Sequence, residues 1–93
     1  MGLRFEWDAA KARLNLSKHS VSFEEASTVF GDRGTITIPD PLHSLAEERF
    51  VTIGLSETGK IPVVVATERG DSLRLISARP ASKRERKQYE EAD

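Results

Sequence analysis

Residues Ser72–Glu91 read SLRLISARPASKRERKQYEE, and within this stretch a strand gives way to a basic helix. Leu73, Leu75 and Ile76 form an apolar, strand-like run. Pro80 has no N–H to offer a continuing ladder, so the strand is predicted to stop at about Arg79. Ser82 and Glu85 then stand at capping-box spacing, in which hydroxyl and carboxylate each satisfy an orphan backbone N–H at a helix start. Between Arg74 and Tyr89 lie six basic side chains (Arg74, Arg79, Lys83, Arg84, Arg86, Lys87) and one acid, Glu85. That is a local field for an anion.

The rest of the chain sets the frame for this stretch. A chain of 93 residues is expected to form one domain over 1–93, of a size that buries roughly 60–65% of its unfolded surface. With 38% hydrophobic and 31% charged residues it reads as an ordinary globular protein. It contains no cysteine, which excludes thiolate nucleophiles, thiolate metal sites and disulfides. The opening MGLRFEWDAAK carries charges where a signal peptide has an apolar stretch, and no apolar run approaches the roughly 20 residues of a membrane span. A cytoplasmic protein with no membrane partner is expected. The net charge of −1 hides an asymmetry: acids gather at Glu24, Glu25, Asp32, Asp40, Glu47, Glu48 and the tail from Glu90, leaving the stretch before Glu90 strongly positive.

Working back to the start, Leu3, Phe5 and Trp7 alternate with Arg4 and Glu6, the period of a half-buried strand. Asp8 suits an N-cap for a helix ending near His19, with Ala9, Ala12 and Leu16 as its apolar stripe and Leu14 beside them. Ser22 and Glu25 have capping-box spacing for a second helix, with Val21 and Ala26 placed as a hydrophobic staple. Phe23, Ala26 and Phe30 would face the core, and Gly31-Asp32 ends that helix. Thr35–Ile38 is predicted to be a short or edge strand, Leu42–Glu48 a loop, and Arg49–Ser56 a strand with Val51, Ile53 and Leu55 on one face. Glu57–Lys60 reads as a hairpin turn, and the continuously apolar Ile61–Thr67 as a central strand buried on both faces. Gly70-Asp71 turns the chain into the strand that begins at Ser72. The predicted order is β, α, α, four strands in an antiparallel meander and a C-terminal basic helix, an α+β fold with helices on one side of the sheet.

Several blocks in this order are similar to the BrnT toxin family: Phe5-Glu6-Trp7-Asp8, Asn15-Leu16-Ser17-Lys18-His19-Ser20-Val21-Ser22-Phe23-Glu24-Glu25-Ala26, Glu48-Arg49 before Ile53-Gly54, Ile76-Ser77-Ala78-Arg79-Pro80-Ala81, and Glu85-Arg86 before Tyr89. The resemblance runs from Phe5 to Tyr89. It implies a RelE-like fold and a type II toxin–antitoxin toxin, a ribonuclease that stops translation by cutting RNA. It also implies neutralisation by a BrnA antitoxin, which itself binds operator DNA. One departure stands out: the family usually has glycine after the Lys-His pair, where this chain has Ser20. A helix C-terminus there favours a left-handed residue, which costs serine about 1 kcal/mol.

Metal-free RNA cleavage needs a base for the 2′-hydroxyl proton, cations for the phosphorane and an acid for the leaving 5′-oxygen. Arginine suits the second task because its fork pairs two phosphate oxygens and stays charged. The candidate catalytic residues are therefore Arg79, Arg86, Tyr89, Arg49 and Glu48, lining one cleft, with Lys83, Arg74, Lys18, His19 and His43 as candidate RNA-binding residues. Each has a structural alternative. Arg79 can pair with Glu48 or Glu85, Arg86 can belong to a solvated face, and Tyr89 can anchor its helix to the sheet. His19 can complement a helix dipole, His43 can simply face solvent, Glu48 and Arg49 can be a surface ion pair, and Trp7 suits core packing. No metal-ligand spacing, phosphate-cradling glycine loop or nucleophile elbow occurs, and no cofactor is called for. The alternative function is a non-catalytic RNA- or protein-binding module of the same fold; a DNA-binding repressor would need a recognition helix.

Overall fold

The computed structural model describes residues 3–40 and 48–92. The elements run β1 (Arg4–Glu6), α1 (Ala9–His19), α2 (Phe23–Thr28) continued by one 3-10 turn (Val29–Gly31), β2 (Ile36–Pro39), β3 (Arg49–Ile53), β4 (Pro62–Arg69), β5 (Ser72–Pro80) and α3 (Lys83–Glu91). The architecture is α+β. The five strands lie in the order β1-β5-β4-β3-β2, with β2 through β5 pairing antiparallel in succession. β1 pairs parallel to β5, so the sheet is mixed and not antiparallel throughout. A parallel pair needs a long crossover, and here the whole chain between β1 and β5 supplies it. Alternation within three residues carries no information about that direction. The expected loop over Leu42–Glu48, with His43, lies outside the described residues apart from Glu48 itself.

Val21, Phe23, Ala26 and Val29 from the helical layer close over Val64 and Ala66 of β4 and Leu75 and Ala78 of β5. β4 is central, and Pro62, Val63 and Val64 are all buried, as the continuous apolar run requires. Leu75 and Ala78 are three residues apart and would face opposite sides of a regular strand. The register moves from Val65 opposite Ser77 to Ala66 opposite Leu75, and the extra residue, Ile76, returns Leu75 to the core face. The same register puts Glu6, Arg74, Thr67 and Arg49 in one row on the outer face of the sheet, with Arg79 further along that face.

Three local expectations change. In α1 only part of the apolar stripe faces the core: Ala12 packs against it, but Leu14 is 68% and Leu16 50% exposed, while Asn15 is 7% exposed. The Asn15 amide donates to the carbonyls of Val21 (2.9 Å) and Ala78 (2.8 Å), and its oxygen accepts the Ala78 N–H (3.1 Å). Burying an amide is tolerable only with its bonds made, and these bonds decide the helix's rotation. In α2 only half of the capping box forms: Ser22 accepts the Glu25 N–H, while the Glu25 carboxylate reaches instead to Ser56 and Thr58. β3 stops at Ile53, leaving Leu55 exposed, and Thr52 is buried at 3%.

Ser20 closes α1 at φ 60° and ψ 26°, its N–H donating to the Leu16 carbonyl at 2.8 Å. The left-handed cap expected of this position is present, held by a residue that adopts it at a cost. Replacing Ser20 by glycine is expected to stabilise the fold by about 0.5–1 kcal/mol, raising the thermal midpoint by about 2–6 °C. Replacing Asn15 by leucine leaves buried backbone groups of Ala78 and Val21 unsatisfied and is expected to cost about 2–4 kcal/mol. Thermal and urea unfolding followed by circular dichroism measure both.

Candidate functional site

α3 begins as its sequence predicts and is then fastened to β5. Ser82 accepts the Glu85 N–H and Glu85 accepts the Ser82 N–H, the complete capping box. The same carboxylate takes both arms of Arg79, Nη1 to Oε1 and Nη2 to Oε2, each at 2.8 Å. Of the two ion pairs open to Arg79, the one with Glu85 forms. Arg79 holds Glu85 at a pKa of about 2, with the Ser82 N–H adding to the effect against partial burial; Glu85 in turn raises that of Arg79. A carboxyl so acidic is a poor proton acceptor near neutrality.

Four residues after Glu85, on the same side of α3, the Tyr89 hydroxyl donates to Asp32 Oδ2 at 2.6 Å. Asp32 also accepts the N–H groups of Leu55 (2.9 Å) and Gly34 (3.0 Å), tying the end of the helical layer, the β3–β4 loop and α3 together. Tyr89, then Leu55 and Gly34, lower the Asp32 pKa; Asp32 raises that of Tyr89. The phenol stays protonated with its proton committed to Asp32. Gly54 permits this close approach, since a Cβ there would lie 2.6 Å from Thr35 Cγ2 and 2.7 Å from Val29 Cγ1.

Where β5 passes into α3 a cleft of about 280 Å³ opens, lined by Val21, Glu25, Lys60, Pro62, Pro80 and Arg86 among others. Glu25 Oε2 accepts the hydroxyls of Ser56 (2.8 Å) and Thr58. Thr58, and next Ser56, lower the Glu25 pKa against partial burial, with Lys60 adding a smaller push the same way. The cleft therefore holds an ionised, acceptor-only carboxylate beside two cations.

The structure brings Arg79, Lys83, Arg86 and Tyr89 together at this end of the sheet. It does not bring Arg49 and Glu48 there. Arg49 stands opposite Thr67 and Arg79 opposite Val63 on β4, a separation of four strand residues, or about 13 Å. Arg74 shares the Arg49 row and pairs with Glu6 at 2.9 Å. Lys18 and His19 flank β5 with Ile76 and Ser77 in a separate recess; His43 lies outside the described residues. Trp7 packs edge-on against Phe23, the core role its alternating strand suggests. Among the described residues no group of His, Asp or Glu is placed to hold a metal ion. Asp32, Glu25 and Lys60 are the site residues that sequence reasoning missed. Asp32 reads as a helix stop and Glu25 as half of a capping box; no local pattern announces their long-range partners.

Glu85 and Asp32 both have folded-state pKa values below their ordinary ones. Their contribution is therefore complete above the unfolded carboxyl range and is lost as pH falls through the folded value. On acidification from about pH 4.5 toward about 2, the amides of α3 are expected to lose hydrogen-exchange protection before those of β4, as read by NMR.

The family model described as "Ribonuclease toxin, BrnT, of type II toxin-antitoxin system" matches residues 7–85. Among solved structures, the crystal structure of the Brucella abortus ribonuclease toxin BrnT is similar at a TM-score of 0.68 and 25% identity, covering 88% of this chain and 100% of that one. No curated protein sequence matches the chain. The family match extends from the end of β1 through the Arg79–Glu85 pair that seats α3, and on that ground the chain belongs to the BrnT family of ribonuclease toxins of type II toxin–antitoxin systems.

Proposed function

We propose that residues 1–93 form one RelE-like toxin domain that cuts RNA endonucleolytically without a metal, stops translation in the cytoplasm, and is silenced by a BrnA-like antitoxin through which alone it meets operator DNA. The observation that carries this reading is the basic strand-to-helix unit. β5 sets Arg74 and Arg79 on the outer sheet face, Lys18 and His19 stand beside the same strand, and α3 adds Lys83 and Arg86 at its end. Family membership supplies the reaction class. No helix among the described residues is long and apolar enough to cross a membrane.

The chemistry is in-line attack by a 2′-hydroxyl on the adjacent phosphorus with loss of the 5′-oxygen, leaving a 2′,3′-cyclic phosphate. Charge grows on the non-bridging oxygens, and a fixed cation there is worth more than a mobile one. Arg86 suits this task because it lines the cleft and its guanidinium makes no hydrogen bond or ion pair among the described residues. Arg79 gives three of its donor contacts to Glu85 and Pro80, so it serves chiefly to seat α3 and adds its remaining donors to the RNA backbone. Tyr89 is a positioning residue: its proton belongs to Asp32, and its bond sets where Arg86 stands. Arg49 and Arg74 hold the RNA strand about 13 Å further along the sheet. The commitment of Arg79 and Tyr89 to internal partners favours, as the second reading, a module that binds RNA without cutting it.

Incubation of a defined RNA with wild type, Arg86→Ala and Arg79→Ala in EDTA separates the two. Wild type is expected to leave 2′,3′-cyclic ends. Arg86→Ala should lose about 10²–10³-fold in kcat/KM with unchanged circular dichroism. Arg79→Ala should lose activity together with protection of the α3 amides. Absence of cutting by wild type, both on free RNA and on a translating ribosome, would establish the binding module instead.

A further inference from the structure

The cleft behind Arg86 contains groups that phosphate binding does not use. Its walls are apolar, formed by Val21, Ile61, Pro62, Pro80 and Ala81. At about 280 Å³ it falls just below the roughly 300–1,000 Å³ that drug-sized ligands occupy, a size for one ring system. Glu25 is held in one orientation by two hydroxyls, and both bond Oε2. Among the described residues Oε1 has no hydrogen-bond partner. A half-buried, ionised acceptor with one oxygen unused, next to the Lys60 ammonium, is arranged for a ligand that presents donors beside an acceptor.

We propose that this cleft is a base-specificity pocket that takes guanine from the RNA strand. The proposal rests on the ribonuclease reading above and adds to it the base recognised. Guanine alone among the four bases presents two adjacent donors, N1–H and the N2 amino group, next to the O6 acceptor. Glu25 Oε1 accepts from the donor pair and Lys60 donates to O6. Adenine and cytosine each offer one amino group, and uracil one imino proton between two carbonyls that would face the carboxylate. The exposed ring of Pro80 and the half-buried side chain of Ile61 cover the base, while Arg86 at the same cleft stays available to the neighbouring phosphate. The carboxylate is already immobilised by Ser56 and Thr58, so little side-chain entropy is lost when the base arrives.

The test uses 2′-O-methyl oligouridines, which lack the attacking hydroxyl, carrying one central G, A, C or U, with binding read by fluorescence anisotropy. Wild type is expected to prefer the G oligonucleotide by roughly ten- to a hundredfold, as a specific two-bond base contact confers. Glu25→Gln keeps the side-chain shape and its reach to Ser56 and Thr58, and should bring the four affinities to near parity without weakening binding to oligouridine. Lys60→Met should reduce the preference in the same direction. Equal wild-type binding to all four, or an undiminished G preference in Glu25→Gln, overturns the pocket. The matching 2′-hydroxyl RNAs report cleavage separately, so a toxin that discriminates guanine but does not cut would sink the ribonuclease reading and leave the pocket standing.

Discussion

Asn15 is where the two layers of this protein are joined. Its amide makes three hydrogen bonds, one to the carbonyl of Val21 and two to the backbone of Ala78, at a site that is 7% exposed. Apolar packing would let α1 slide or rotate over β5 with little penalty, because the hydrophobic effect has no direction. A buried amide does not allow this, since any shift leaves polar groups dry and unpaired. Asn15 thereby sets the rotation of α1, which sends Leu14 and Leu16 outward and carries Lys18 and His19 to the side of β5. It also ties the α1–α2 turn, where Ser20 takes its left-handed conformation, to the strand that holds Arg79.

The far end of β5 is governed by a different balance. No residue of α3 is buried, so area burial contributes little to its position. Directed polar contacts hold it: a complete capping box, a two-armed Arg79–Glu85 pair and the Tyr89–Asp32 bond. Half-exposed ion pairs contribute modestly to stability, but a bidentate fork and a charge-assisted phenol bond are demanding in geometry. The result is a helix whose direction is defined while its Lys83, Arg84, Arg86 and Lys87 stay exposed. A site that must receive a polyanion gains from such an arrangement, because desolvating those cations in a core would shift or neutralise the charges it needs.

How far the sequence could be read follows from the range of each interaction. The α3 capping box, the β4 core strand and the strained Ser20 cap are decided within a few residues or by a continuous pattern, and all three are legible. The rotation of α1 is not, because its hydrophobic stripe competes with one asparagine whose partner lies 63 positions away. The parallel pairing of β1 with β5 has no local signature at all. At the site, residue types pointed to Arg79, Arg86 and Tyr89, whereas Asp32 and Glu25 each had a sufficient local explanation as helix punctuation. Their second roles, with Tyr89 57 residues on and with Thr58 33 residues on, exist only in three dimensions. Arg49 shows the converse error: a basic residue at a strand start looks equivalent to the others until register separates it from Arg79 by half the length of β4.

The acids also explain why a net charge of −1 does not argue against a polyanionic substrate. Glu6 answers Arg74 and Glu85 answers Arg79, while Asp32 is occupied by Tyr89. These three acids are engaged at short range, where an interaction strengthens as water is excluded, while their longer-range fields are weakened by salt and distance. What remains in the surrounding field is the surplus of α3 and of the Lys18–His19 corner, both adjoining β5. Had the same acids been dispersed as solvent-facing charges, they would repel an approaching phosphate chain. Paired as they are, they aim and orient the cations instead, and the negative count of the whole chain becomes compatible with a basic working surface.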